Sequence, residues 1–192
     1  MSLQLDRYGW LKPGRGVTLT PSPNFNERPP GTEVSLLVIH NISLPPGVFG
    51  GPYIEDLFCN RLDYQAHPWF ENLRGLRVAA HFLVRRDGAV QQFVSADKRA
   101  WHAGVSRLGD REGCNDFSLG VELEGTDVLP YTDEQYATLA RLASALKARY
   151  PLVHAWGHEH IAPGRKTDPG PAFDWPRFGA TCGFLRRALP PG

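Results

Sequence analysis

Apolar and polar positions change period along this chain, and each change marks an element. "EVSLLVIHN" (Glu33–Asn41) is a short apolar run rich in branched residues that stops at a histidine, the pattern of a buried strand. The prolines and glycines of "NISLPPGVFGGP" then end any ladder. A short helix is predicted from Tyr53 to Asn60, opened by Pro52. In "AAHFLVRRDGAVQQFV" two apolar-containing runs meet at Asp87-Gly88, a pair that suits a tight turn, so two antiparallel strands are predicted. "SLGVELEG" (Ser118–Gly125) alternates Leu119, Val121 and Leu123 with Glu122 and Glu124, a strand with carboxylates on one face. "YTDEQYATLARLASALKARYP" switches to helical spacing: Tyr136, Leu139, Ala143 and Leu146 share a stripe. Thr132 is its N-cap, with Gln135 as the capping-box partner. "VHAWGH" returns to a short strand, and a weaker helix is predicted from about Phe178 to Leu189.

Strands and helices intermix, which argues for one α/β domain. The proline-rich polar stretch at 12–33 reads as an extended arm, so residues 1–33 are expected to pack on a domain spanning 34–192. A chain of 192 residues closes a core without staples, so a metal here would point to function rather than to folding. The 21 basic and 20 acidic residues are interspersed and leave a net charge of +1, with no basic stripe for nucleic acid. No apolar run approaches the roughly 18 residues of a membrane span, and "MSLQLDRYGWLKPGRG" lacks a signal-peptide apolar region; a soluble cytoplasmic protein is expected. Cys59, Cys114 and Cys182 form no C-x-x-C pair and read as reduced and structural.

The chemistry concentrates in "GHEHIAPGRKTDPG" (Gly157–Gly170), whose prolines at 163 and 169 argue for a loop that presents side chains. His40 stands where an apolar strand gives way to a Pro/Gly loop, a usual place for functional groups on such sheets. A catalytic zinc takes three protein ligands and leaves a position open. The residues alone leave blander readings standing: His40 as a core-edge histidine, His158 as a strand-end cap, Asp168 as an Asx turn. The His154/His158 pair has helical zinc spacing, but it sits in strand composition without H-E-x-x-H and is set aside. His81, on an apolar strand, reads as structural, and Glu124 as solvated surface.

Five blocks in order, "LLVIHNISLPPGVFGGP", "AHFLVRRDG", "DKRAWHAGVS", "CNDFSLGVELEGTD" and "GHEHIAPGRKTDPGPAFDW", carry a resemblance over almost the whole chain. The chain resembles the zinc-dependent N-acetylmuramoyl-L-alanine amidases, in particular the cytoplasmic type that trims 1,6-anhydro-muropeptides during cell-wall recycling. The resemblance implies a mixed central β-sheet flanked by helices, making residues 34–192 a zinc amidase catalytic domain. It implies one zinc per chain on His40, His158 and Asp168, and hydrolysis of the amide between the muramic lactyl group and L-alanine. Lys166 and Glu122 match the family's catalytic lysine and glutamate. More distant phage amidases and peptidoglycan-recognition proteins carry a cysteine ligand and a tyrosine where this chain has Asp168 and Ala80, so the general-base role falls to Glu122. His160 departs from the pattern. Asn41, Arg77, Trp101 and His102 are the expected substrate contacts. The expected partner is an anhydro-muropeptide, with no nucleic acid and no membrane, and the chain a monomer. A non-catalytic muropeptide-binding protein, a zinc peptidase acting on the stem peptide, and an exported amidase remain as rivals.

Overall fold

The computed structural model describes residues 2–191. Its strands in chain order are β1 (Val17–Leu19), β2 (Phe25–Asn26), β3 (Leu36–Ile42), β4 (Phe82–Val84), β5 (Val90–Gln92), β6 (Arg99–Ala100), β7 (Arg107–Leu108), β8 (Arg111–Glu112), β9 (Ser118–Glu124) and β10 (His154–Gly157). Four α-helices lie among them: α1 (Tyr53–Phe58), α2 (Asp133–Lys147), α3 (His158–Ile161) and α4 (Trp175–Cys182). Six strands form one sheet in the order β1-β5-β4-β9-β3-β10. The Asp87-Gly88 turn makes β4 and β5 antiparallel, whereas every other pairing in this sheet is parallel, so the sheet is mixed.

Period-two alternation distributes the side chains between two faces of the sheet. Leu37 and Ile39 of β3, Phe82 and Val84 of β4, and Leu119, Val121 and Leu123 of β9 point toward α2 and α4 and are buried with Leu139, Leu142, Leu146 and Phe178. Each such side chain contributes about 1.5–3 kcal/mol by leaving water. On the other face, α1 and the 3-10 turn Pro68–Leu73 cover Leu83 with Ile54, Leu57, Phe58 and Phe70. Leu36 and Val38 pack separately under Ala103, Cys114, Phe117 and Ile161. A groove between these two coverings is lined by His40 and Asn41 of β3 and Glu122 of β9, and there the site forms.

The N-terminal arm is woven into the fold. Residues 17–19 add an edge strand parallel to β5, and β2 pairs with β6. The arm's Arg28 donates to the carbonyls of Asp116 (2.6 Å) and Ser118 (2.9 Å), tying it to the start of β9. No helix among the described residues is long and apolar enough to cross a membrane. The three cysteines are free thiols, Cys114 and Cys182 buried and Cys59 half-buried.

Three expectations are corrected. The C-terminal helix starts earlier, capped by the Asp174 side chain, and stops at Gly183, which takes a left-handed φ of 67° that residues with a Cβ avoid; only a 3-10 turn at Arg186–Ala188 follows. The run at 157–170 opens with a helical turn, α3, because its first proline comes only at position 163. Glu124 is not surface: its side chain is 2% exposed, pairs with Arg85 at 3.0 Å, and accepts from the Gly50 amide at 2.7 Å.

Candidate metal and catalytic site

His40 is carried by β3, and parallel pairing places Glu122 of β9 directly beside it in register. Both belong to the sheet face away from α2. His158 is the first residue of α3, immediately after β10, which itself pairs with β3. Asp168 arrives from the following loop, fixed because its carbonyl accepts from the Glu159 amide at 2.8 Å. The next carbonyl, of Pro169, accepts from the Tyr131 hydroxyl (2.8 Å) and the Asn41 amide (3.1 Å). Three separate segments thus deliver three side chains to one point.

Their donor atoms form a near-equilateral triangle. His40 Nδ1 and His158 Nδ1 are 3.0 Å apart, and Asp168 Oδ2 is 3.1 Å from the first and 3.0 Å from the second. They are the one group of three convergent ligating side chains among the described residues. Both imidazoles are buried, at 1% and 3% exposure. His158 Nε2 lies 3.1 Å from the Ala103 carbonyl, which only accepts, so that nitrogen carries the proton and Nδ1 presents its lone pair to the triangle. Burial, then the neighbouring His158, push His40 down to about 4, so its imidazole is neutral near pH 7. Burial raises the Asp168 carboxyl, but the facing imidazoles of His158 and His40 outweigh it and hold the group far below the usual carboxylate range.

Two imidazole nitrogens and one carboxylate oxygen, with their lone pairs converging, repel one another unless a cation lies among them. The donor set suits zinc, and a zinc tetrahedron with bonds of about 2.0–2.1 Å has edges of about 3.3 Å, close to the sides observed. The residues present fit the metal.

The triangle sits in a groove of about 530 Å³ that is also lined by Glu122, Lys166, Arg77, Asn41, Trp101 and His102. Glu122 Oε2 is buried with no hydrogen-bond partner. Burial, then the Asp168 charge, push its carboxyl well above the usual value, while Lys166 pulls it back. Such an orphaned oxygen facing a groove is costly unless water or substrate occupies it. Lys166 and Arg77 are exposed. Trp101 commits its indole N–H to Asn26 (2.8 Å), which leaves only the ring face for a ligand. The Asn41 amide donates to Asp127 at 2.8 Å as well as to Pro169. Both ring nitrogens of His102 are engaged inside the protein, by His40 Nε2 at 2.9 Å and Ser118 Oγ at 3.1 Å. His81, as expected, is structural: Nδ1 accepts from the Gly120 amide at 3.0 Å.

A larger groove of about 850 Å³ runs between the arm and the β4–β5 hairpin. Its charged groups, Lys12, Arg15, Asp87 and Arg141, stand at the surface, so it holds no buried ionisable group to match the triangle. Sequence reading passed over Asn115, Ala103 and Arg165, which surround the imidazoles. Two of these act through or upon backbone carbonyls, and such contacts leave no mark in a spacing pattern.

The family model for N-acetylmuramoyl-L-alanine amidases matches residues 30–171. The chain is 59% identical to the 1,6-anhydro-N-acetylmuramyl-L-alanine amidase AmpD of Salmonella typhimurium (strain SL1344) over 174 residues, 90% of this chain and 91% of that one. It is similar to the crystal structure of a selenomethionine AmpD derivative, with a TM-score of 0.87 at 56% identity, covering 92% of this chain and 98% of the other. It is also similar to AmpDh3 from Pseudomonas aeruginosa in complex with anhydromuramic pentapeptide, at 25% identity and a TM-score of 0.54, covering 84% and 65% of the two chains.

Proposed function

The chain belongs to the N-acetylmuramoyl-L-alanine amidase family, and we propose from that premise that it uses one zinc, held by His40, His158 and Asp168, to release the peptide from 1,6-anhydro-muropeptides. The bond cleaved joins the lactyl carbonyl of anhydro-N-acetylmuramic acid to the nitrogen of L-alanine. The observation that carries this reading is the 3.0–3.1 Å triangle of ligating atoms beside a buried, unpartnered Glu122 oxygen.

An amide is a weak electrophile with a poor leaving group, so its hydrolysis needs an activated water, a stabilised oxyanion and a proton for nitrogen. A zinc in this triangle supplies Lewis acidity toward the carbonyl and acidifies a water to a pKa of about 7. Glu122 accepts the proton of the attacking water and returns it to the L-alanine nitrogen as the C–N bond breaks. Burial, which raises its carboxyl above the usual value, favours its taking up that proton. Lys166, exposed on the groove wall, donates to the developing oxyanion. Arg77 clamps a stem-peptide carboxylate, and the Trp101 ring offers a stacking face. Asn41 keeps the Asp168–Pro169 turn beside the first ligand. His102 acts behind His40 rather than on substrate. A place in peptidoglycan recycling, in the cytoplasm, belongs to the same reading, and three free thiols agree with a reducing compartment.

The test is product analysis. An anhydro-muropeptide incubated with the protein should give free stem peptide and anhydro-sugar by mass spectrometry, and none when a chelator is added. Cleavage within the stem peptide would make the protein a peptidase, and zinc-loaded protein that binds without cutting would make it a recognition module.

A further inference from the structure

The two imidazole ligands come from different elements, yet both are held from behind by one dipeptide. The His102 ring meets His40 Nε2 at 2.9 Å, and the neighbouring Ala103 carbonyl meets His158 Nε2 at 3.1 Å. That dipeptide is in turn held by a single atom: Asn115 Oδ1 accepts from the backbone amides of His102 (3.1 Å) and Ala103 (2.8 Å). Asn115 is 7% exposed, and its own carbonyl is gripped by Arg28 at 3.2 Å. From the far side, Arg165 donates to the carbonyls of Ala103 (2.7 Å) and Val105 (2.6 Å), so the segment is fixed at both its amides and its carbonyls.

The direction of the protons follows. If His102 Nε2 donates to Ser118 Oγ at 3.1 Å, its Nδ1 is an acceptor, and His40 must donate from Nε2. His40 Nδ1 is then left with a bare lone pair facing the triangle, the state that a ligand requires. His158 reaches the same state through Ala103. A shift of the 102–103 backbone would misdirect both rings together.

We propose that Asn115 is a positioning residue for the metal site, whose one side-chain oxygen pins the His102–Ala103 segment and thereby presets the orientation and tautomer of both imidazole ligands. The inference rests on the metal-binding reading above. It singles out the oxygen: the bonds the structure gives the Asn115 side chain run through Oδ1, so aspartate, which keeps that acceptor, substitutes for asparagine while alanine does not.

The test compares zinc affinity, by competition with a chromophoric chelator at one pH, in the wild-type protein, Asn115→Ala and Asn115→Asp. Asn115→Ala should bind zinc roughly 10- to 100-fold more weakly, the usual effect of losing support behind metal ligands, and Asn115→Asp should stay within about threefold of wild type. A second measurement needs no variant. In ¹⁵N-histidine-labelled apo-protein, His40 and His158 should each carry their proton on Nε2. Wild-type protein that binds no zinc would overturn the metal-site reading and this inference with it. Wild-type binding with an equally tight Asn115→Ala, an Asn115→Asp as weak as the alanine variant, or an Nδ1–H tautomer at either ligand would overturn the inference alone. If Asn115→Ala does not fold, the aspartate variant and the tautomer measurement decide.

Discussion

Glu122 and Glu124 are the same side chain two residues apart on one strand face, and their surroundings give them opposite roles. Spacing along the strand could not separate them, since period two puts both on the same side. The partners do: Glu124 receives Arg85 and the Gly50 amide, while one oxygen of Glu122 receives nothing from the protein. A satisfied buried carboxylate is structural, and an unsatisfied one in a groove is held for a ligand. Glu122→Gln should therefore abolish turnover, retain zinc, and leave the melting temperature unchanged or higher, because an amide is cheaper to bury than an orphaned carboxylate. Glu124→Gln should keep most activity but lose about 1–3 kcal/mol of stability, the cost of weakening a buried charged hydrogen bond. In a domain of this size that lowers Tm by roughly 2–12 °C. Metal analysis, kcat and a melting curve on each variant check the pair, and the reverse ranking would exchange the two roles.

Strand β9 shows how far an element can be read before it is seen. Its apolar alternation placed Leu119, Val121 and Leu123 on the core side, where they are. Helix α2 was equally legible, with both bonds of the Thr132–Gln135 capping box present. These features are local, and local features leave patterns. Gly120 had no such reading, because its reason is a neighbour distant in sequence: a Cβ there would stand 2.6 Å from the His102 ring. The gap in the side-chain row of β9 is the space in which the ring behind His40 lies. The candidate ligands stand in blocks shared with the family rather than in any periodicity, while the supports behind them, made largely by backbone groups, leave no pattern in the sequence. Gly120→Ala should thus act on the site through His102. The expected outcome is a zinc affinity lowered by roughly tenfold or more with the circular dichroism spectrum unchanged. Unaltered affinity would show that His102 can move without disturbing His40.

Across the whole molecule, the buried histidines and the proposed metal would couple stability to solution conditions in ways the contacts allow to be separated. His81 accepts the Gly120 amide in a fully buried position, where burial, then the Arg28 charge, hold it at about 3 against an ordinary value of 6.5. Between those values the unfolded chain binds a proton that the folded chain refuses, so stability is full above pH 6.5 and falls as pH drops toward 3, by on the order of 4–5 kcal/mol at most. His40, held near 4, adds the same sign over pH 6.5 to 4 in the metal-free protein. His81→Asn keeps an acceptor for Gly120 without a titrating ring; urea unfolding of chelated protein should show a shallower acid slope for it than for wild type, and parallel slopes would reject the assignment. Chelation itself tests what the metal is for. The apolar clusters that cover the sheet close without the triangle, whose side chains hang from the end of β3, the start of α3 and the loop beyond it. Removing zinc should leave the far-ultraviolet circular dichroism intact and abolish hydrolysis, with activity restored by zinc. Stability should fall only by linkage, about 4 kcal/mol at a free zinc concentration a thousandfold above Kd. Faster amide hydrogen exchange should be confined to the 158–170 segment, because a bound zinc would join the Asn41–Pro169 hydrogen bond in tying that loop to β3. Collapse of the circular dichroism on chelation would mean instead that the cores described here cannot hold the fold alone, and that the triangle is a structural staple.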